Sequence, residues 1–209
     1  MQSDNPYAPP VSVVEDAQPF AELPESPKKP ALAYAGFWRR FGAYWVDVLV
    51  FLPVAGLAFY FGEKTRLFYL YWFLPGLAIG AWFHVYLVVK HGGTPGKILL
   101  KTRIAMLDGS KVTERAAASR YSVLFILSAL STVAMIVGTL KMTDELYFSL
   151  GRVARGAMLM ELAPSYKLIS ILIQLWVFSE FITMLFNKKR RAVHDFIAGT
   201  VVVRREADV

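Results

Sequence analysis

The alternation of apolar and polar positions divides the chain into four long apolar runs, at about residues 36–61, 67–89, 121–140 and 167–186. At about 1.5 Å of rise per residue, each is long enough as a helix to cross a hydrocarbon core of about 30 Å. Pro53 is expected to kink the first run, because it frees a backbone carbonyl one turn earlier. The second run holds Gly76 and Gly80 at GxxxG spacing, which lets two helix backbones approach closely, and His84 extends that face. Between the runs the pattern changes. Ile98 to Leu107 is rich in β-branched and large apolar residues and reaches the turn signal Asp108-Gly109, then Lys111-Val112-Thr113, which predicts a β-hairpin. Thr200 to Arg204 can add a third strand. In 141–166, Leu146, Leu150, Val153, Ala157 and Met160 recur at helical spacing, which predicts one amphipathic helix lying flat in the interface. The expected fold class is an all-α membrane protein with four transmembrane helices, a small cytoplasmic β-hairpin or sheet and an interfacial amphipathic helix.

Composition sharpens this picture at the N-terminus. Residues 1–35 hold seven of the eleven prolines together with Glu15, Asp16, Glu22 and Glu25. Such a segment buries too little apolar surface to fold and reads as a disordered cytoplasmic tail, a tether that could also carry a protein-partner motif. Its acidic, proline-rich start has no early apolar core, so a cleavable signal peptide is not expected. Residues 36–205 then form the membrane domain. The chain is 56% hydrophobic, above the roughly 45–50% of soluble domains.

Charge sets orientation. With both termini cytoplasmic, 17 of the 23 Lys and Arg residues fall on the inner side, which predicts a multi-pass protein of the cell (inner) membrane with both ends inside. The net charge of +7 sits beside apolar spans and therefore suits anionic lipid headgroups at the cytoplasmic face rather than nucleic acid. Cysteine is absent, and His84, His91 and His194 lack metal-ligand spacing, so no metal, cofactor or thiol chemistry is expected. No nucleophile-and-base arrangement appears, and the chain is not expected to be an enzyme. HGGTPGK is not a phosphate loop, because His91 stands where the first glycine is needed and Ile98 where Ser or Thr is needed.

The candidate chemistry lies inside the spans. Asp47 follows Arg40 by seven residues, so the two share a helix face about 10 Å apart along the axis. Arg40 can reach back to the headgroups and Asp47 cannot. Counted from the cytoplasmic edges Arg40, Lys90, Arg120 and Lys188, the residues Asp47, His84, Ser128 and Glu180 all fall about 9–12 Å deep. Such a layer could bind a cation or pass a proton, because neighbouring charge and desolvation move these groups' titration towards neutral pH. The structural alternative is that Arg40 neutralises Asp47 while His84 and Glu180 pair to lock the helices. Glu180 shares its face with Thr183 and Asn187, which would continue a polar path to the cytoplasm.

Three stretches, RRFGAYWVD, GGTPGK and RRAVHDFIAGTVVV, resemble in order the motifs of the RDD family of membrane proteins. That family is named for one arginine and two aspartates, matched here by Arg40, Asp47 and Asp195. The resemblance covers about Ala35 to Arg204, and least well the long 141–166 segment. It implies a polytopic, mostly bacterial membrane protein with a proposed transport role and no generally settled activity. By simple counting Asp195 lies in the cytoplasmic segment, where a surface ion pair would contribute little. Alternatively, HDFIAG folds back beneath the bundle and brings Asp195 to the guanidinium of Arg40 or Arg120. Two functions follow as expectations. One is a transporter, compatible with a homo-oligomer, exchanging a small cation or proton through Asp47, His84 and Glu180. The other is a membrane adaptor or assembly factor acting through its tail and basic cytoplasmic surface.

Overall fold

The computed structural model describes residues 32–205, so the expected tail up to residue 31 lies outside the described residues. The first long helix, α1, spans Phe37–Gly62 and carries Pro53 without interruption. The second membrane segment, Phe68–Leu99, is broken. Its parts are α2 (Phe68–Ala81), a π-helical turn (Trp82–Tyr86), α3 (Leu87–His91) and α4 (Pro95–Leu99). Gly92, at φ 77°, ends α3 in the left-handed conformation, and Pro95 opens α4 with the fixed φ suited to a first turn. Strand β1 (Thr102–Met106) leads to α5 (Glu114–Leu140), then α6 (Asp144–Ser149), α7 (Arg152–Leu162), α8 (Pro164–Leu185), α9 (Val193–Ala198) and β2 (Thr200–Arg204). Four of these segments are long and apolar enough to cross a membrane, and large apolar side chains such as Leu49, Leu74, Ile126 and Leu175 stand exposed on them.

The predicted hairpin does not form. β1 pairs antiparallel with β2, from Thr102 against Arg204 to Met106 against Thr200, and Tyr34 bridges to Val203 on the far side. Residues 98–99 belong to α4, and Thr113 leaves the strand register to cap α5, its Oγ1 accepting from the Ala116 N–H at 3.2 Å. The partner of β1 is therefore the distant segment 200–204, already available as a third strand. Residues before 36 also belong to the membrane domain: Ala35 N–H donates to the Val202 carbonyl, and Arg204 N–H to that of Ala33. Ile104 and Val202 face Val88, Ala116 and Ala117 at the end of the bundle, while Ala105, Val201 and Val203 face Leu32 and Tyr34. Burying each such branched side chain stabilises by about 1.5–3 kcal/mol. The sheet is thus packed on both faces against the described chain.

The expected single amphipathic helix is two, α6 and α7, broken at Leu150-Gly151. Its inward face also differs from the periodicity reading. Tyr147 and Leu159 are buried with Met135 and Met142, whereas Val153 is 87% exposed and Leu146 and Met160 point outward. Tyr147 holds the pair against the end of α1 by donating its hydroxyl to the Gly62 carbonyl at 2.8 Å.

Candidate functional site

The turn after α8 decides where the last motif goes. Asn187 donates through Nδ2 to the carbonyls of Thr183 and Arg191, and its Oδ1 accepts from the Arg191 N–H at 2.7 Å. That closes the chain on itself, so Asn187 organises a reversal rather than extending a polar path outward. Arg190 adopts φ 51° in this turn, an uncommon region for a non-glycine residue. Arg191 then donates to the carbonyls of Asp195 (2.7 Å) and Thr200 (3.2 Å). The effect is to fold α9 back beneath the bundle.

Asp195 is consequently fully buried. Its carboxylate accepts from Arg40 Nη2 at 2.6 Å, from Arg120 Nη1, from Thr200 Oγ1 at 3.0 Å and from the Ala192 N–H at 2.9 Å. Burial alone would raise its pKa, but the Arg120 and Arg40 guanidiniums outweigh that and hold the carboxyl well below the usual carboxylate range. The expectation that Arg40 neutralises Asp47 is corrected here. Arg40 is only 7% exposed and donates to Asp195 and to the Arg190 carbonyl, so its guanidinium is held within the protein rather than extended into open surroundings.

Asp47 has different partners. Its Oδ2 accepts from Thr94 Oγ1 at 2.6 Å, its Oδ1 accepts from the Gly96 N–H at 2.7 Å, and Lys97 Nζ stands 3.9 Å from Oδ2. TPGK is therefore a carboxylate-binding turn docked on α1. Gly96 is required for that approach, since a Cβ there would collide with the Ala43 carbonyl and Asp47 Oδ1.

His84 sits in the π-helical turn, with its ring stacked on Tyr121 at 4.7 Å between centroids. Gly80 meets the same Tyr121, whereas Gly76 faces Trp72 of its own helix, so only one glycine of the pair serves the contact with α5. Glu180 bonds not to His84 but to His194 Nδ1. Arg120 Nη2 approaches His194 Nε2, and because a guanidinium only donates, Nε2 accepts and Nδ1–H donates to Glu180. The imidazole is held neutral, its pKa lowered by burial and then by the charge of Arg120.

One cavity of about 490 Å³ collects these groups. Arg40, Asp47, His84, Thr94, Lys97, Arg120, Glu180 and His194 line it, together with apolar residues such as Phe51, Phe83, Leu124 and Trp176. Counting depth thus brought Asp47, His84 and Glu180 to one place. Ser128 does not line it, and α5 contributes Arg120, Tyr121 and Leu124 instead. The reason is the Thr113 cap: α5 begins at Glu114, so Arg120 is already inside the helix and not at its edge. Thr94, Lys97 and His194 were not among the candidates. The motifs GGTPGK and HDF marked their neighbourhoods, but no local spacing indicates that they meet Asp47 and Glu180.

Three cations (Arg40, Lys97, Arg120) face three carboxylates (Asp47, Glu180, Asp195) around this site. A buried cluster of that kind is tolerated only when its charges balance and its donors are used. No group of His, Asp and Glu among the described residues has the arrangement of a metal site. No curated protein and no solved structure matches the chain significantly. The sequence model of the RDD family matches residues 34–199, an interval containing the whole Arg40–Asp195 network and the Asp47–TPGK contact. With one arginine and two aspartates in these positions and most of its length matched, the chain belongs to the RDD family.

Proposed function

We propose that this multi-pass membrane protein exchanges a small monovalent cation for a proton at Asp47. The observation that carries the reading is the convergence of Asp47, His84, Lys97 and Glu180 on one cavity of about 490 Å³. Two neutral donors, Thr94 and Gly96, fix the Asp47 carboxylate, and the Lys97 ammonium is its nearest positive charge. A partly dehydrated cation entering beside Oδ2 would add a charge to a site that is already balanced. Loss of one proton restores the balance. The arginines cannot supply that proton and His194 is already neutral, and Lys97, whose Nζ stands 3.9 Å from Asp47 Oδ2, is the proposed source because it is the cation beside the carboxylate. The His84 π-turn supports the reading, since such turns recur at functional sites. The bias of Lys and Arg along the sequence supports an inner-membrane location with both termini cytoplasmic.

The test is proton release on adding Na⁺ to purified protein in lightly buffered detergent, followed by Na⁺-driven proton flux in proteoliposomes. Release is expected from wild type and lost in Asp47→Asn and Lys97→Arg, the second of which keeps the charge but cannot shed it at neutral pH. Unchanged release in both variants, or none in wild type, removes the exchange reading.

A further inference from the structure

The cavity of about 490 Å³ is larger than a bare ion needs, and it lies within the about 300–1,000 Å³ of pockets that hold small organic molecules. Its lining on α1 runs from Arg40 to Ala55, and the eight residues from Asp47 to Ala55 carry it about 12 Å further along the helix, away from the arginines. That part is walled by apolar side chains, among them Phe51, Leu52, Ala55, Leu124 and Trp176. Two polar side chains on the same wall have bonding capacity to spare. Glu180 accepts from His194 Nδ1 through Oε1, while its Oε2 takes no hydrogen bond. It is also the one carboxylate of the cluster with no Lys or Arg in contact: its partner is the neutral His194 imidazole, whereas Asp47 faces Lys97 and Asp195 faces two arginines. His84 stacks on Tyr121 and makes no hydrogen bond through either ring nitrogen. Among the described residues only Arg155 Nε is a side-chain polar atom both sealed and unpaired, so the unpaired atoms of Glu180 and His84 stay open to a ligand in the cavity they line.

We propose that this cavity also takes an organic ammonium ion with an apolar body, its N–H groups donating to Glu180 Oε2 and His84 and its body lying along Phe51 and Trp176. A carboxylate oxygen and the acceptor nitrogen of a neutral imidazole both call for donors, and a primary ammonium supplies three. Aromatic faces, tryptophan's above all, attract a cation. The apolar walls add affinity in proportion to the surface they take from water. An anion would meet Glu180 as a like charge, and a neutral molecule would leave that carboxylate without a counter-charge. The ammonium adds one charge to a balanced cluster, as a small cation does, and is offset by the same proton loss, so the proposal rests on the exchange reading and widens its substrate class.

The experiment uses full-length protein in neutral detergent, with titration calorimetry for binding and proton release in light buffer. The probes are hexylammonium, hexanol (the same body without the charge) and methylammonium (the charge without the body). Hexylammonium is expected to bind at least tenfold more tightly than either and to release a proton. Glu180→Gln keeps an acceptor for His194 Nδ1–H and should abolish the preference for hexylammonium over hexanol. Ala55→Phe changes an exposed residue, fills the apolar end, and should weaken hexylammonium about tenfold while Na⁺-induced proton release stays as in wild type. Equal binding of hexylammonium and hexanol, equal binding of hexylammonium and methylammonium, or undiminished hexylammonium binding in both variants overturns the proposal. If Na⁺ still releases a proton in that case, the exchange reading stands and only the organic ligand falls. Absence of Na⁺-induced release from wild type is the separate result that removes the exchange reading.

Discussion

Replacing Asp195 by Asn is the sharpest perturbation of this fold, because it leaves the shape of the side chain while removing the only charge shared by two buried arginines. Arg40 and Arg120 both bond to this carboxylate, whose side chain has no solvent exposure. Breaking a buried pair by removing one partner costs about 3–5 kcal/mol, since the surviving charge is left uncompensated. Here two charges survive, and the amide also returns an unwanted donor towards one guanidinium, so the upper part of that range applies. For a chain of this size about 2–4 °C of Tm accompanies each kcal/mol, which places the expected loss, for about 4–5 kcal/mol, at roughly 8–20 °C. The assay is thermal unfolding in detergent, followed by tryptophan fluorescence. The companion measurement is a double-mutant cycle of Arg40→Ala and Asp195→Ala, in which the double variant should lose clearly less than the sum of the singles. An Asp195→Asn protein within about 2 °C of wild type, or strict additivity in the cycle, would refute the account of the network as a shared buried charge.

Other consequences are smaller or more local. Gly96→Ala should destabilise by displacing α4 from α1 and lower the yield of folded protein on size exclusion, whereas Gly56→Ala, where a Cβ meets open space, should be harmless. Thr113→Ala should cost about 1 kcal/mol through loss of the α5 cap, read as a Tm decrease of a few degrees. His194 has a lowered pKa in the folded protein, so the native state binds fewer protons than the unfolded chain below the ordinary histidine value of about 6.5. Stability from this group is therefore complete above about pH 6.5 and falls as pH drops, by no more than about 1.4 kcal/mol per pH unit. A His194→Gln variant should flatten the Tm profile between about pH 6.5 and 5, and an unchanged slope would count against the neutral imidazole.

Much of the fold was legible because membrane spans advertise themselves through long apolar runs, and the observed segments sit within a few residues of the expected ones except at the second, which runs on to Leu99 where an end near 89 was expected, and at α5. There the polar stretch Glu114–Ser119 hid the first turns of a helix whose start is set by one threonine. The hairpin failed for a related reason. β-branched residues at 102–106 and 111–113 have equal local propensity for a strand, and only the packing of β1 between Ile104 and Ala105 contacts on its two faces selects 200–204 as partner. Depth counting found Asp47, His84 and Glu180 because helical rise converts separation along the chain into depth, even with His84 in a π-helical turn, and it erred at Ser128 through the misplaced helix edge. The pairings themselves were not legible. Arg40 and Asp47, seven apart on one helix, invited a direct bond, yet each is satisfied by a residue from another segment.

That exchange of partners carries a physical logic. A bond between Arg40 and Asp47 would have satisfied α1 alone, taking from α4 its carboxylate anchor and leaving α9 to be held by Arg120 and Glu180 only. Distributing the two charges instead makes each one the anchor of a different segment: Asp47 holds the TPGK turn through Thr94 and Gly96, while Arg40 holds α9 through Asp195 and the turn before it through the Arg190 carbonyl. Apolar contact cannot select these positions inside a bilayer, where lipid tails compete equally well for an apolar surface. A charge that must find its counterpart can select them, because every wrong arrangement leaves it buried and unpaired. The same requirement leaves the Lys97 side of Asp47 as the longest contact to that carboxylate, 3.9 Å beside two bonds of 2.6 and 2.7 Å, and so the place where the cation of the proposed exchange would have the least to displace.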